Sequence, residues 1–290
     1  MKHILFFTVL MVFSFSGHAQ EKEEEQIFPD SKAISSEVSN SESKKNNAVT
    51  STLEGTVIED KYAGQYQRAT VQNISKLYWA KDKFDFDDDD AIDKFVFINE
   101  CEFYKENYRD DFKWTDIRRA ARKMIKEYIP TYSDKFKIIV PIDLGRYDIE
   151  KKGFPIINDT EFVDLRRVHL GGNYHDICGE GAEIKNYPRN ISLILHAPFN
   201  YKFFNIDEHL AQGYILRNNT KRAEMPPGFL NNKTYNRLAF ARFRMHIVDY
   251  QDDVKEGADF LSALMFGKIE GVDIFERADE TGLLSSVDFD

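Results

Sequence analysis

The fold of this chain is decided by residues 85–130, which read DFDDDDAIDKFVFINECEFYKENYRDDFKWTDIRRAARKMIKEYIP. After an acidic start, apolar residues recur at steps of three and four, which places them on one face of a helix. The spacing predicts two amphipathic helices, the second ending at Pro130 because proline lacks the N–H that a helix needs. The first apolar stripe comprises Ile92, Phe95, Ile98, Cys101, Tyr104 and Tyr108, and the second comprises Trp114, Ile117, Ala121, Met124 and Tyr128.

The acidic cluster Asp85–Asp93 permits two interpretations. Carboxylates at a helix N-terminus accept hydrogen bonds from unpaired N–H groups and oppose the positive end of the helix dipole. Alternatively, the cluster forms an irregular calcium site, since its aspartates recur at EF-hand ligand positions. However, Asp90 stands where that loop needs glycine, and Val96 stands where it needs a bidentate glutamate. Helix capping is therefore the preferred interpretation, and weak calcium binding is the minor alternative.

The first nineteen residues predict a secretory signal peptide. A basic start is followed by an apolar run at residues 4–15 and by small residues, Gly17 and Ala19, before Gln20. An uncleaved anchor helix is the less favoured alternative. Residues 20–56 are polar and charged with few apolar side chains, which is typical of a disordered tether. We therefore predict an exported protein, periplasmic or extracellular, that carries its folded part after the tether.

Residues 57–290 suit one domain with a sizeable core. The spacing from Ile58 to Tyr78 predicts a first helix, interrupted near residues 70–73. After Pro130 the apolar period changes to two, which is typical of strands. The predicted strands are residues 136–142, 191–197, 238–250 and 264–276, a short helix is predicted at 207–216, and loops are predicted at 160–188 and 217–233.

The order of these elements predicts the fold class. Helices come first and strands later, without regular alternation of the two. That order favours an α+β fold in which N-terminal helices pack on a mainly antiparallel β-sheet. The folded part is therefore predicted to be a single α+β domain.

The predicted loop at residues 160–188 holds side chains that can bind a metal. A zinc site would use His175 and Cys178, with His169 or Glu180 added. The spacing matches no zinc module, and a paired second cysteine is absent. A surface loop in which the histidines are merely polar is the preferred interpretation, so we predict no metal ligands and no cofactor.

Catalytic groups are not selected by any motif. The chain contains no GxSxG elbow, no HExxH pair and no phosphate loop. Asp143, His196 and His246 lie in or beside predicted strands and could converge as acid and base groups. His246 alternates with apolar neighbours, however, and is better explained as a residue of the sheet. We therefore predict no catalytic residue.

Cys101 and Cys178 are the two cysteines of the chain. An oxidising compartment would allow one disulfide between them, contributing about 2–4 kcal/mol to stability. The equal alternative is that Cys101 is a small buried residue on its helix and that Cys178 is free.

The charge balance excludes some partners. With a net charge of −10, the chain does not attract nucleic acid or an anionic membrane surface. The basic face of the second predicted helix, residues 118–126, is a local exception that we interpret as a solvated face. After the signal peptide, no segment is apolar enough to cross a membrane.

Several stretches resemble a bacterial exported family catalogued as domain of unknown function 4852. They are Leu77–Trp79, the Asp85–Asp93 cluster, Ile98–Tyr104, Asp110–Trp114, Leu144–Asp148, Gly153–Pro155 and Gly267–Val272. The resemblance implies an exported domain with no assigned activity, so no functional residue is carried over. We predict a non-enzymatic, envelope-associated or secreted protein that binds a protein or glycan partner. The alternative is a hydrolase whose acid and base groups meet around the loop at residues 160–188.

Overall fold

The computed structural model describes residues 58–157, 162–171, 177, 184, 187–224, 237–256 and 260–289. The predicted signal peptide and tether lie outside these residues. The helices are α1 (Val71–Ala80), α2 (Asp89–Asn99), α3 (Cys101–Asn107), α4 (Asp111–Tyr128) and α5 (Glu208–Glu224). The strands are β1 (Gln67–Arg68), β2 (Lys135–Leu144), β3 (Gly153–Pro155), β4 (Leu165–Gly171), β5 (Pro188–Phe199), β6 (Phe203–Asn205), β7 (Arg237–Glu256), β8 (Phe260–Phe275) and β9 (Leu283–Asp288).

The helices begin at capping side chains. The Asp88 carboxylate accepts a hydrogen bond from the backbone N–H of Asp90 at the start of α2. Asp110 caps α4 in the same way, by accepting from the N–H of Lys113. The capping interpretation of the acidic cluster is therefore confirmed at Asp88. One predicted helix is corrected, since Glu100 adopts φ −135° and ψ 52° and divides the first apolar stripe into α2 and α3.

The predicted first helix is also corrected at its start. Residues 58–66 form turns, β1 follows, and the helix begins only at Val71 behind the capping residue Thr70. The tyrosines that suggested helical spacing instead reach the sheet, as described below. We call residues 58–66 the lead-in segment.

The α+β class is confirmed, but the sheet is mixed. Its strand order is β1-β2-β7-β8-β5-β4, with β9 also pairing with β8. β1 pairs with β2 in parallel, and β5 pairs with β8 in parallel. The prediction of a mainly antiparallel sheet is wrong, because alternation reports which face of a strand is buried and not the direction of its neighbour. The helices are also not all N-terminal, since α5 lies between strands. In addition, β4 occupies part of the predicted loop at residues 160–188.

Strand β7 shows how the two faces of the sheet differ. Alternate residues from Ala239 to Ile247 are buried in the main hydrophobic core. That core also contains residues of α1, α5 and the small β3–β6 sheet, so we call this side the inner face. The residues between them, including Arg242, Arg244 and His246, lie on the outer face.

The main sheet is curved. Gly171 of β4 lines the same cavity as Ile138 and Ile139 of β2, although four positions in the strand order separate these strands. The cavity has a volume of about 450 Å³. The two sides of the sheet therefore approach each other around the core.

Among the described residues, no helix is both long and apolar enough to cross a membrane.

Candidate functional site

The acidic cluster faces arginines of α4. The Asp93 carboxylate is buried and accepts hydrogen bonds from Trp114 Nε1 at 2.9 Å and from Arg118 Nε at 2.7 Å. Asp89 pairs with Arg118 at 2.9 Å and also with Arg122. The basic face of α4 is therefore not simply solvated, because two of its arginines neutralise this cluster. Within the described ranges, no three His, Cys, Asp or Glu side chains are arranged to hold a metal.

The predicted acid and base candidates lie on different strands of the main sheet. His169 on β4 and His196 on β5 are exposed, whereas Asp143 lies on β2 with β7 and β8 intervening. His246 lies between Asp134 at 3.1 Å and Glu270 at 3.5 Å. His175, Cys178 and Glu180 of the possible zinc site lie outside the described residues.

The cysteines are only partly described. Cys101 is the first residue of α3 and is not a free thiol, while Cys178 lies outside the described residues. Its neighbour Ile177 is buried in a small cluster with Val71 and Ile98. Because Ile98 lies three residues before Cys101, this packing places Ile177 near the start of α3. The pairing of the two cysteines stays a prediction.

The densest group of charges lies on the outer face of β7 and β8. The side chains of Arg242 and Arg244 are 1% exposed, and Asp273 between them is fully buried. Asp273 accepts hydrogen bonds from Arg242 Nε at 2.8 Å, Arg244 Nε at 2.9 Å and the Ser286 hydroxyl at 2.6 Å. Gly271 leaves no room for a side chain against Arg244, so glycine is needed for this packing.

The lead-in segment and the C-terminal residues complete this group. Asp60 receives two hydrogen bonds from Arg242, each of 2.7 Å, and Asp288 receives one of 2.7 Å from Arg244. Glu280 accepts from Arg242 at 2.9 Å. We call these residues the arginine network, which comprises Asp60, Arg242, Arg244, Asp273, Glu280 and Asp288.

Hydrogen bonds donated by cations and phenols lower the pKa values of Asp60, Glu280 and Asp288. Donation from Arg242 lowers the pKa of Asp60, and donation from Tyr62 and Lys61 lowers that of Asp288. Burial opposes the ionisation of Glu280, but bonds from Lys137 and Arg242 hold its pKa below the ordinary value. These three acids are thus kept charged, and removing one of them would leave a buried arginine without part of its compensating charge. The sequence signal of this network is the pair of arginines at alternate positions within the largely apolar stretch Leu238–Ile247.

A cavity between the helices is the better candidate for binding. It has a volume of about 400 Å³, within the usual range of small-molecule sites. Its walls come from α1, the α2–α3 junction, the end of α4 and the turn that follows. The lining residues are Gln67, Asn73, Lys76, Phe95, Asn99, Glu100, Met124, Tyr128, Thr131, Tyr132 and Ser133. We call it the helical cavity.

The lining combines polar groups with aromatic rings. The Asn99 amide nitrogen donates to the Phe95 carbonyl at 2.9 Å, while its buried Oδ1 accepts no hydrogen bond within the described part of the chain. Lys76 makes no ion pair to any described residue. The Tyr128 side chain is half exposed at the cavity. Such a surface offers hydrogen bonds together with flat apolar contact.

Sequence reasoning missed this cavity because its walls come from separate stretches. Eight of its lining residues fall between Phe95 and Ser133.

Residues 87–217 match the family described as Domain of unknown function (DUF4852). The resemblance drawn from the sequence is therefore confirmed over that stretch, which is a little under half of the chain. The DUF4852 match contains α2 to α4 and most of the cavity wall, and it leaves out α1 and β7 to β9. Comparison with curated proteins and with solved structures gives no significant match.

Proposed function

We propose that this chain is an exported, non-enzymatic binding protein whose helical cavity holds a sugar unit of a glycan. The observation that carries the proposal is the lining of the cavity. Amide and hydroxyl groups from Asn73, Asn99 and Ser133 line the cavity together with the tyrosines Tyr128 and Tyr132. Sugars present hydroxyl groups at their edges and apolar C–H faces, so they suit walls of this kind.

The charges of the cavity support binding over hydrolysis. Glycoside hydrolysis uses two carboxyl groups on either side of the bond that is broken. The lining residues include one carboxylate, Glu100, and no histidine. Lys76 and Glu100 can orient a ligand, but Glu100 alone does not form a catalytic pair. No observation in the described residues favours the alternative of a hydrolase around residues 160–188.

Export is part of the proposal. It is supported by the basic start, the apolar run and the small residues Gly17 and Ala19 before Gln20. The same compartment would allow a disulfide between Cys101 and Cys178, and the burial of Ile177 beside Ile98 supports that pairing. Mass spectrometry of the protein from an exporting host should give a mature chain that begins at Gln20 and is two hydrogens lighter than its dithiol form. A chain that keeps Met1–Ala19 in the cytosol would contradict export.

A panel of monosaccharides and short oligosaccharides tests the binding role. We expect titration calorimetry of the purified protein to find at least one sugar that binds. Tyr128→Ala should weaken the affinity for that sugar about tenfold, since loss of a stacked ring removes roughly 1–2 kcal/mol of binding free energy. Lys76→Gln should weaken it less.

Phe112→Ala is the matched control, because Phe112 is 90% exposed on α4 and lies outside the cavity. It should leave the affinity unchanged. The proposal fails if no sugar binds, or if the bound oligosaccharide is cleaved during the titration when its products are separated by chromatography.

A further inference from the structure

The outer face of β4, β5 and β8 carries four exposed basic side chains. Arg167 and His169 lie on β4, His196 lies on β5 and Lys268 lies on β8, and all four are exposed. None of the four makes an ion pair with any residue that the structure describes. In a chain with a net charge of −10, Arg167 and Lys268 are thus two exposed cations without an ion pair among the described residues, with two exposed imidazoles beside them. They contrast with Arg118 and Arg122, which are paired with aspartates.

The strand register brings these side chains together. Arg167 stands opposite Ile194 of β5, and Ile194 stands beside Phe266 of β8. His169, His196 and Lys268 each lie two residues along their strand from one of these positions, so they project to the same side. Strands about 4.8 Å apart, with about 6.8 Å between alternate residues, make this a patch of roughly 10 by 14 Å. We call it the basic patch.

Two rings lie within the basic patch. The His196 and Phe266 rings are nearly parallel, with an interplanar angle of 17° and centroids 6.0 Å apart. Both are at least partly accessible to solvent. A sugar can place a C–H face against one of these rings while the cations beside the rings bind its acidic groups.

We propose that the basic patch binds an acidic polysaccharide, a chain of sugars that carry carboxylates. Arg167 presents a planar fork that matches a carboxylate, and Lys268 supplies a second cation across the ring pair. Asp249, which stands opposite Phe266 in the register, limits the patch on the β7 side. The four basic side chains are exposed and lie on one face of three neighbouring strands, so a polysaccharide chain can contact them together. This site is separate from the helical cavity, and the proposal does not depend on that cavity.

Polygalacturonate is the probe for this site. We expect the purified protein to bind it at low ionic strength, with an affinity that falls as salt is added. The double variant Arg167→Gln/Lys268→Gln should weaken binding roughly fivefold to thirtyfold, since each exposed charge contributes up to about 1 kcal/mol. The control Arg119→Gln/Lys123→Gln removes the same charge from the exposed face of α4 and should leave binding nearly unchanged.

Further probes separate a sugar from other polyanions. Phe266→Leu keeps the apolar volume but removes one ring, so it should weaken polygalacturonate binding and leave polyphosphate binding as it was. Tyr128→Ala, in the helical cavity, should not affect either probe. The proposal is overturned if the protein does not bind polygalacturonate, or if neutral dextran or polyglutamate binds as tightly. It is also overturned if the two double variants weaken polygalacturonate binding equally, or if Phe266→Leu does not change that binding.

Discussion

The outer face of the main sheet has two halves that use basic residues in opposite ways. In one half, Arg242 and Arg244 of β7 are buried and hydrogen-bonded to carboxylates. In the other half, Arg167 and Lys268 are exposed and make no ion pair with the described residues. The two halves differ because the lead-in segment and β9 pack over the first half only and bring their acidic side chains to its arginines.

This contrast separates stability from binding. A buried cation needs its partner, since removing one member of a buried pair leaves an uncompensated charge. An exposed cation is hydrated and contributes little to the folded state. The covered half should therefore respond strongly to mutation in unfolding experiments, and the open half should respond only when a ligand is present.

The largest effect is expected from Asp273→Asn. Asp273 is fully buried and accepts from two arginines, so losing its charge should lower the free energy of unfolding by about 3–5 kcal/mol. Urea denaturation followed by circular dichroism measures the change. Asp249→Asn makes the same substitution at the exposed border of the basic patch and should change stability by less than about 0.5 kcal/mol. Similar losses at both positions would remove the distinction between the halves.

The covered half should also make stability depend on pH. Hydrogen bonds from cations and phenols place the pKa values of Asp60, Glu280 and Asp288 below their ordinary values. Such acids contribute stability that is fully present above their unfolded pKa values, near 4, and is lost as the pH falls through the folded values.

Urea midpoints should therefore be level from pH 7 to pH 5 and fall below about pH 4. The basic patch gives a contrast, since Arg167→Gln/Lys268→Gln should follow the same curve as the wild type. Stability that is unchanged between pH 5 and pH 3 would contradict the role assigned to the network acids.

A smaller effect is expected from Tyr66→Phe. The Tyr66 hydroxyl donates to Glu270 at 2.7 Å and helps to hold the lead-in segment on the sheet. Removing it should lower the free energy of unfolding by about 1 kcal/mol, the usual contribution of one hydrogen bond. Tyr128→Phe removes a hydroxyl from a half-exposed tyrosine and should have no measurable effect on unfolding. Equal changes in the two variants would count against the anchoring role.

The smallest effect is expected in the open half. Arg167→Gln/Lys268→Gln should alter the free energy of unfolding by less than about 0.5 kcal/mol, because neither side chain is buried or paired within the described residues. Thermal unfolding monitored by circular dichroism is sufficient to detect a larger change. A loss above about 2 kcal/mol would show that the open half also stabilises the fold.

Much of the fold could be predicted from local patterns. The apolar stripe from Trp114 to Tyr128 became α4, and the alternation after Pro130 became β2. Local spacing also misled in two places. The stripe runs without interruption through Glu100, where the helix breaks, and Tyr62 and Tyr66 sit at helical spacing although each reaches a distant carboxylate.

The remaining features depend on contacts between distant residues. Parallel pairing of β5 with β8 joins stretches such as Leu193 and Met265, and nothing in either strand alone reveals the direction of the other. Strand β4 was hidden because only Val168 and Leu170 are buried in a charged stretch. The walls of the helical cavity come from three separate elements, so its shape could not be predicted from the spacing within any one of them.

The wide separation of the arginine network along the chain has a consequence for biosynthesis. Asp60 precedes its partner Arg242 by 182 residues, and Asp288 follows Arg244 by another 44. In a nascent polypeptide that does not yet include β9, Arg244 therefore lacks the carboxylate of Asp288. The outer face of the sheet can close only after β9 has been synthesised, so a product that terminates before β9 should remain open to proteases that a product containing β9 resists.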